Sequence, residues 1–185
     1  MNAETKATGH CRVWVGSLGA YNDGRLLGVW INAEDAEERV PELIKEWQAS
    51  DPIRNGDEWF IADHEGFGPA WPGGENPYLD KLRELAEELE ALGDSDQREA
   101  YKEFLGLGLG HTIREFQEAY LGPWDSQKAF AENEWQEHCE DRVPEDLQQF
   151  VDLDAYTSWL SDIGYTFVPR SPWDEGEHGV FVFRQ

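Results

Sequence analysis

The sequence predicts an α+β protein: an elongated chain of three small domains. A ββαβ sheet unit covers residues 1–69, a helical unit 70–110, and acidic helices with a terminal β-hairpin 111–185. Three observations predict this. Period-two apolar alternation is confined to the first third of the chain and its C-terminal end, the mark of half-buried strands. Helical apolar spacing with capping signals fills the middle. Runs rich in Gly and Pro at 66–77, and in Gly at 106–110, interrupt the pattern twice.

Taken in order, residues 10–18 (HCRVWVGSL) alternate Cys11, Val13 and Val15 with Arg12 and Trp14, as a strand does. The segment 19–24 (GAYNDG) has the chemistry of a turn, and 25–31 (RLLGVWI) returns as the second strand of a hairpin. A helix from about Asp35 to Gln48 buries Val40, Leu43, Ile44 and Trp47. Pro41 has no N–H to donate and moves its expected regular start to about residue 40. Residues 58–63 (EWFIAD) form a third strand. Trp14, Trp30 and Trp59 on these strands, and Tyr21 in the turn, are expected as packing residues rather than ligand contacts.

Residues 66–77 hold four Gly and three Pro and read as a linker. Asn76 is placed to cap the next helix, with Pro77 in its first turn. Leu79, Leu82, Leu85, Ala86, Leu89 and Leu92 then recur at helical spacing up to Gly93. A helix over 96–105 offers Ala100, Tyr101, Phe104 and Leu105, and Gly106, Gly108 and Gly110 make a flexible joint. Thr112 and Glu115 form a capping box before Ile113, Phe116 and Tyr120, a helix expected to stop at Gly122 and Pro123. Asp125 or Ser126 caps an acidic helix. Pro144 opens another, with Leu147, Phe150 and Val151 inward, and 155–160 continues helical up to Gly164. Residues 165–168 and 179–184 close the chain as a hairpin around a long acidic loop at 169–178.

Thirty-nine Asp and Glu against fifteen Lys and Arg give a net charge of -24. Such a chain repels nucleic acid and anionic membranes, so neither is an expected ligand; basic surfaces are. Halophilic adaptation produces a similar surplus. Two cysteines, Cys11 and Cys139, fit a reducing compartment. Residues 1–9 are polar with no apolar core of a signal peptide, and no run reaches membrane-span length, so the expected location is the cytoplasm.

The charge is densest from Glu115 to Asp162, with thirteen carboxylates against Lys128 and Arg142. Tyr120, Trp124, Phe130, Trp135, Phe150, Tyr156 and Trp159 are spaced through the same stretch, which therefore packs rather than remaining disordered. If residues 130–141 are one helix with Trp135 inward, Glu134, Glu137, Glu140 and Asp141 share the opposite face. Four charges then lie along roughly 10 Å of axis, close to the spacing on one DNA strand.

Enzymatic signals are lacking. The histidines and cysteines have no metal-ligand spacing. Asp152-Leu153-Asp154 begins like a calcium loop but has no glycine at its sixth place. The run 106–110 lacks the order of a dinucleotide loop. With thirty-nine acids some close carboxylate pair is inevitable, so a pair alone says nothing about hydrolysis. No catalytic, cofactor or metal residue is assigned, and a binding protein is the expectation.

Five segments, VWVGSLGAYNDGRLLGVW (13–30), EWFIADHEGF (58–67), YLGPWDSQKAFAE (120–132), FVDLDAYTSW (150–159) and GVFVFR (179–184), together resemble the ArdA antirestriction proteins of conjugative plasmids and transposons. The departures are Trp124 where Tyr is common, His64-Glu65 where Asp-Tyr is common, and a linker rich in Pro and Gly. The resemblance implies a non-enzymatic homodimer that imitates bent B-form DNA. It would occupy the DNA groove of a type I restriction–modification enzyme, formed by its methyltransferase core and specificity subunit, inhibiting restriction and sometimes modification. The other reading is an acidic adaptor for a different basic protein. Helix geometry and charge nominate the contact surface: Glu84, Glu87, Glu88 and Glu90 in the middle, then Glu115, Glu118, Asp125, Glu132, Glu134, Glu137, Glu140, Asp141, Glu145, Asp146, Asp152 and Asp154.

Overall fold

The computed structural model describes residues 10–51, 53, 55–170 and 179–185. The chain divides into two compact units, Met1–Gly93 and Asp94–Gln185. Each is a mixed α+β body on a three-stranded antiparallel sheet. Of the helices expected over 70–110, the first lies in the first unit and the second in the second.

In the first unit β1 (Arg12–Ser17) is central, between β2 (Gly28–Asn32) and β3 (Trp59–Glu65). Alternation works as the sequence implies. Val13 and Val15 are fully buried, while Arg12 and Trp14 are half-buried on the other face. Helix α2 (Ala36–Ser50) contributes Val40, Leu43 and Trp47 to the same core. On the opposite face the Trp14 ring lies over Gly16 and Gly28, where a Cβ would collide with it; at Gly28 a Cβ would also sit 2.6 Å from the Val15 carbonyl oxygen.

Three expectations in this unit need correction. The hairpin turn contains a short helix, α1 (Leu18–Asn22), because the buried Ser17 hydroxyl accepts the Ala20 N–H at 3.1 Å and caps it. Helix α2 starts at Ala36 rather than near residue 40, after a 3-10 turn at Ala33–Asp35. Pro41 removes only the bond to the Glu37 carbonyl, and both residues are exposed, so water can take that carbonyl. The run 66–77 is packed. Phe67 and Ala70 are buried, the Ile61 N–H donates to the Glu75 carbonyl at 2.7 Å, and the His64 ring stacks on Trp71 at 4.1 Å. Aromatic residues among the glycines and prolines turn it into a strap along β3.

Helix α3 (Leu79–Ala91) buries Leu82, Ala86 and Leu89 and packs on α2. It begins after Tyr78 with no side-chain cap, so Asn76 does not play that part.

The second unit opens with α4 (Ser95–Gly106), capped by Asp94. Its end is ordered rather than a bare joint. Leu109 N–H bonds to the Phe104 carbonyl and Gly108 N–H to the Leu105 carbonyl, with Gly108 at φ +66, a Schellman ending. Helix α5 (Ile113–Ala119) carries the predicted capping box of Thr112 and Glu115. The chain then extends as a strand the sequence did not reveal, β4 (Tyr120–Trp124), where a helix stop at Gly122 and Pro123 was expected. Pro123 cannot donate to a ladder, and β4 is an edge strand, where this is tolerated.

Strand β6 (Val180–Arg184) is the centre of this sheet, between β4 and β5 (Tyr165–Pro169). Phe181 and Phe183 join Phe104, Phe116 and Tyr120, with ring centroids 4.9–6.3 Å apart. Val180 and Val182 face the other way, into a core of Phe130, Ala131 and Leu160. The last two elements of that layer are α6 (Gln127–His138) and α8 (Leu153–Asp162), joined through a single turn, α7 (Glu145–Gln148). Leu147 and Phe150, expected inward, are 50% and 76% exposed, because α7 is too short to lay a stripe on the core. Of the predicted loop at 169–178, residues 171–178 lie outside the described residues, as do residues 1–9.

Replacing Gly28 with Ala should destabilise the protein by about 1–3 kcal/mol, since the Trp14 ring cannot move without opening the sheet face. Gly93→Ala, with nothing within 4 Å of its new Cβ, should change stability by less than about 0.5 kcal/mol. Urea unfolding of both variants checks this, and equal midpoints would contradict it.

Candidate interaction surface

Helix α6 decides how the densest charge is presented. Ser126 caps it by accepting the Ala129 N–H at 3.0 Å, and Phe130 and Ala131 fix its inward side. Glu134 lies one turn further along that side. Its side chain is only 16% exposed, and its carboxylate accepts the Tyr165 hydroxyl at 3.2 Å. The single acidic face expected from Glu134, Glu137, Glu140 and Asp141 therefore does not form. The α-helix also ends at His138. Cys139 leaves helical geometry at φ -123, its sulfur 3.7 Å from the Tyr156 hydroxyl. Glu140 and Asp141 follow on a 3-10 turn, Glu140 half-buried and Asp141 exposed. Trp135, expected to point inward, is half-buried and meets Tyr156 edge-on at 5.7 Å.

The sixteen nominated carboxylates separate by what they already hold. On α3, Glu84 is paired with Lys81 at 2.6 Å and Glu87 with Arg83 at 2.9 Å. Glu90 lies 3.8 Å from His10, and Glu88 is half-buried. Glu118 is paired with Arg114 at 3.0 Å, and Asp154 with Lys128 at 2.9 Å. Hydrogen bonds to these acids push the pKa of Lys81, Arg83 and Lys128 up, so the neutralising cations keep their charge. Glu115 and Asp152 are caps. Glu115 accepts from His111 N–H, Thr112 N–H and the Thr112 hydroxyl, and Asp152 from the N–H groups of Asp154 and Ala155.

Six remain: Asp125, Glu132, Glu137, Asp141, Glu145 and Asp146. All are exposed, and none forms an ion pair among the described residues. They come from the start of α6, its outer side, the 3-10 turn and α7, within 22 residues of the second unit. A basic partner meets these six without first breaking an internal pair or a cap.

One group among the described residues has the donors for a metal ion: Glu134, Glu137 and His138, with ligand atoms within 4.8 Å. The i, i+3, i+4 spacing of an acidic helix produces such a group by itself, and Glu134 is already engaged by Tyr165. A shallow depression of about 470 Å³ runs beside the Lys128–Asp154 pair, lined also by Ser126, Gln127 and Thr157. The Ser126 hydroxyl is used in capping. No helix of the described residues is long and apolar enough to cross a membrane, and both cysteines are free. Tyr165, which holds Glu134, carries no sequence signal for that part; it lies 31 residues away and on another element.

Residues 13–170 match the family model described as antirestriction protein (ArdA). No curated protein matches the chain. The segment 179–184, which also carried the resemblance, lies beyond the matched region and forms β6. For Glu115, the hydrogen bond from His111 N–H, then those from Thr112, hold the carboxyl below the usual glutamate range. Its contribution to stability is then complete above the unfolded value near 4.3 and lost as pH falls through the lower folded value. Glu115→Ala should be less stable than the parent at pH 7, with a smaller gap at a pH below the ordinary glutamate range. Denaturation at both pH values tests it; an unchanged gap would refute the assignment.

Proposed function

The chain belongs to the ArdA antirestriction family, and we propose that it inhibits type I restriction–modification enzymes by imitating B-form DNA in their DNA-binding groove. Its partners are the methyltransferase core and the specificity subunit, and the activity inhibited is restriction, sometimes with modification. The observation that carries this reading is the set of six exposed carboxylates between Asp125 and Asp146 that form no ion pair among the described residues. They hold negative charge in fixed positions on a folded scaffold.

Magnitudes are consistent. A net charge of -24 equals the phosphates along about 41 Å of duplex, at one per about 1.7 Å. A homodimer would match about twice that length. Carboxylates on helices carry no base edges, so the surface engages groups that read phosphates rather than groups that read sequence. One inhibitor then serves against enzymes with different recognition sites. The protein works in the cytoplasm, where incoming DNA meets the enzyme, and needs no cofactor or turnover. An acidic adaptor for another basic protein would share the charge but would not compete with DNA.

Two outcomes follow. Pairing of copies brings like charges together, so the dimer should weaken as salt is lowered. Sedimentation at several ionic strengths checks this, and a monomer throughout would contradict it. For inhibition, Glu137→Gln alone should cost less than about fivefold, since one exposed pair contributes under about 1 kcal/mol. Amides at Glu137, Asp141, Glu145 and Asp146 together should weaken binding several-fold to about a hundred-fold. Glu84 and Glu87 to Gln should cost less per residue, because each is already paired internally. Competition with DNA for a type I methyltransferase measures all three. Abolition by one conservative change in a folded protein would rule the mechanism out.

A further inference from the structure

Two cations, Lys128 and Arg142, lie between Glu115 and Asp162 among thirteen carboxylates. Arg142 is exposed and forms no ion pair among the described residues. Lys128 does the opposite. From α6 it reaches across to α8 and meets Asp154 at 2.9 Å, 26 residues further along the chain.

Two observations separate this pair from an ordinary surface contact. The first is the place of Lys128 on α6. It is the second residue of the helix, just after the Ser126 cap, where free N–H groups favour an anion and disfavour a cation. Its charge works against the helix that carries it. The second is its surroundings. The hydrogen bond to Asp154 and the charge of Asp154 push the Lys128 pKa up, and Glu132 and Asp152 add to the same field. Lys128 thus offsets charge on both helices where they pack, including Glu132, one of the six exposed carboxylates without an ion pair.

Asp154 does not depend on Lys128 for its position. Its N–H donates to the Asp152 carboxylate at 3.1 Å, and its carbonyl accepts the Ser158 hydroxyl at 3.0 Å. It stands in the first turn of α8, where negative charge is favoured, and its side chain is 81% exposed. Without the lysine ammonium, Asp154 stays in place with its charge uncompensated. The depression of about 470 Å³ beside the pair gives a partner's side chain access to it. We propose that Lys128 attenuates inhibition: by pairing with Asp154 across α6 and α8, it withholds a seventh carboxylate from the basic surface of a type I enzyme. This rests on the functional reading above and deepens it, naming a residue that sets the strength of the contact. A duplex has a phosphate at every step and no internal cation, so a neutral residue at 128 completes the imitation there.

The test is competition with DNA for a purified type I methyltransferase, at low and at high salt. The full chain is compared with Lys128→Met, Lys128→Gln and Lys128→Met/Asp154→Asn, each checked for folding by circular dichroism and urea unfolding. Both single variants should fold as the parent does, since the pair is exposed, and bind about two- to fivefold more tightly at low salt. The gain should shrink as salt rises. The double variant restores the parent's net charge and should return to within about twofold of its affinity. Unchanged affinity in both single variants would overturn the proposal, and lowered affinity would overturn it by making Lys128 a direct contact. A double variant as tight as Lys128→Met would also overturn it, because the gain would not come from Asp154. Loss of fold in both single variants would count against it, since the pair would then serve to hold the helices together. In each of these cases a parent that competes with DNA leaves the functional reading standing; a parent that does not compete overturns both.

Discussion

Thirty-nine carboxylates on 185 residues repel one another, and each element of the fold must form against that field. Self-repulsion of this kind loosens compact states. What opposes it is aromatic burial around two central strands. In the first unit β1 sits between Trp14 and Phe60 on one face and the Val13–Val15–Ile31 layer on the other. In the second, β6 is buried on both faces, with phenylalanines on one and valines on the other. Ring pairs add about 0.5–1.5 kcal/mol each beyond their buried area, whereas exposed ion pairs add less than about 1 kcal/mol. The cores carry the scaffold; the ion pairs arrange its surface.

That arrangement reduces the charge available to a partner below the formal total. Lysine and arginine on α3, α5 and α6 each take a carboxylate. Two others finish helix ends, and Glu134 turns inward to Tyr165. The six carboxylates left exposed, with no ion pair among the described residues, lie between Asp125 and Asp146 in the second unit.

The elements most legible in the sequence were those with a strong period and local punctuation. The β1–β2 hairpin, α2, α3 and the Thr112–Glu115 box follow from alternation, helical spacing and capping chemistry. The failures at β4 and at residues 66–77 share a cause: the deciding partner was distant. Pro123 in β4 reads as a breaker until β6, some sixty residues on, supplies the neighbouring strand. Residues 66–77 read as a linker because composition does not show Phe67 and Trp71 finding the sheet. The acidic face on α6 was oriented by Trp135, the largest side chain, but Phe130 and Ala131 set the inward direction and carried Glu134 with them. The family was readable from residue order across the chain. Which carboxylates stay unpaired was not, because Lys128 meets Asp154 across 26 residues.

The central claim is that protein and DNA claim one groove, and mutual exclusion tests it most directly. A purified type I methyltransferase, a duplex carrying its site and an excess of this protein would be mixed and the species resolved by sedimentation. The account predicts enzyme bound to DNA or enzyme bound to protein, with the balance set by their concentrations and no species containing all three. A stable ternary complex, with DNA still seated on the enzyme, would contradict it.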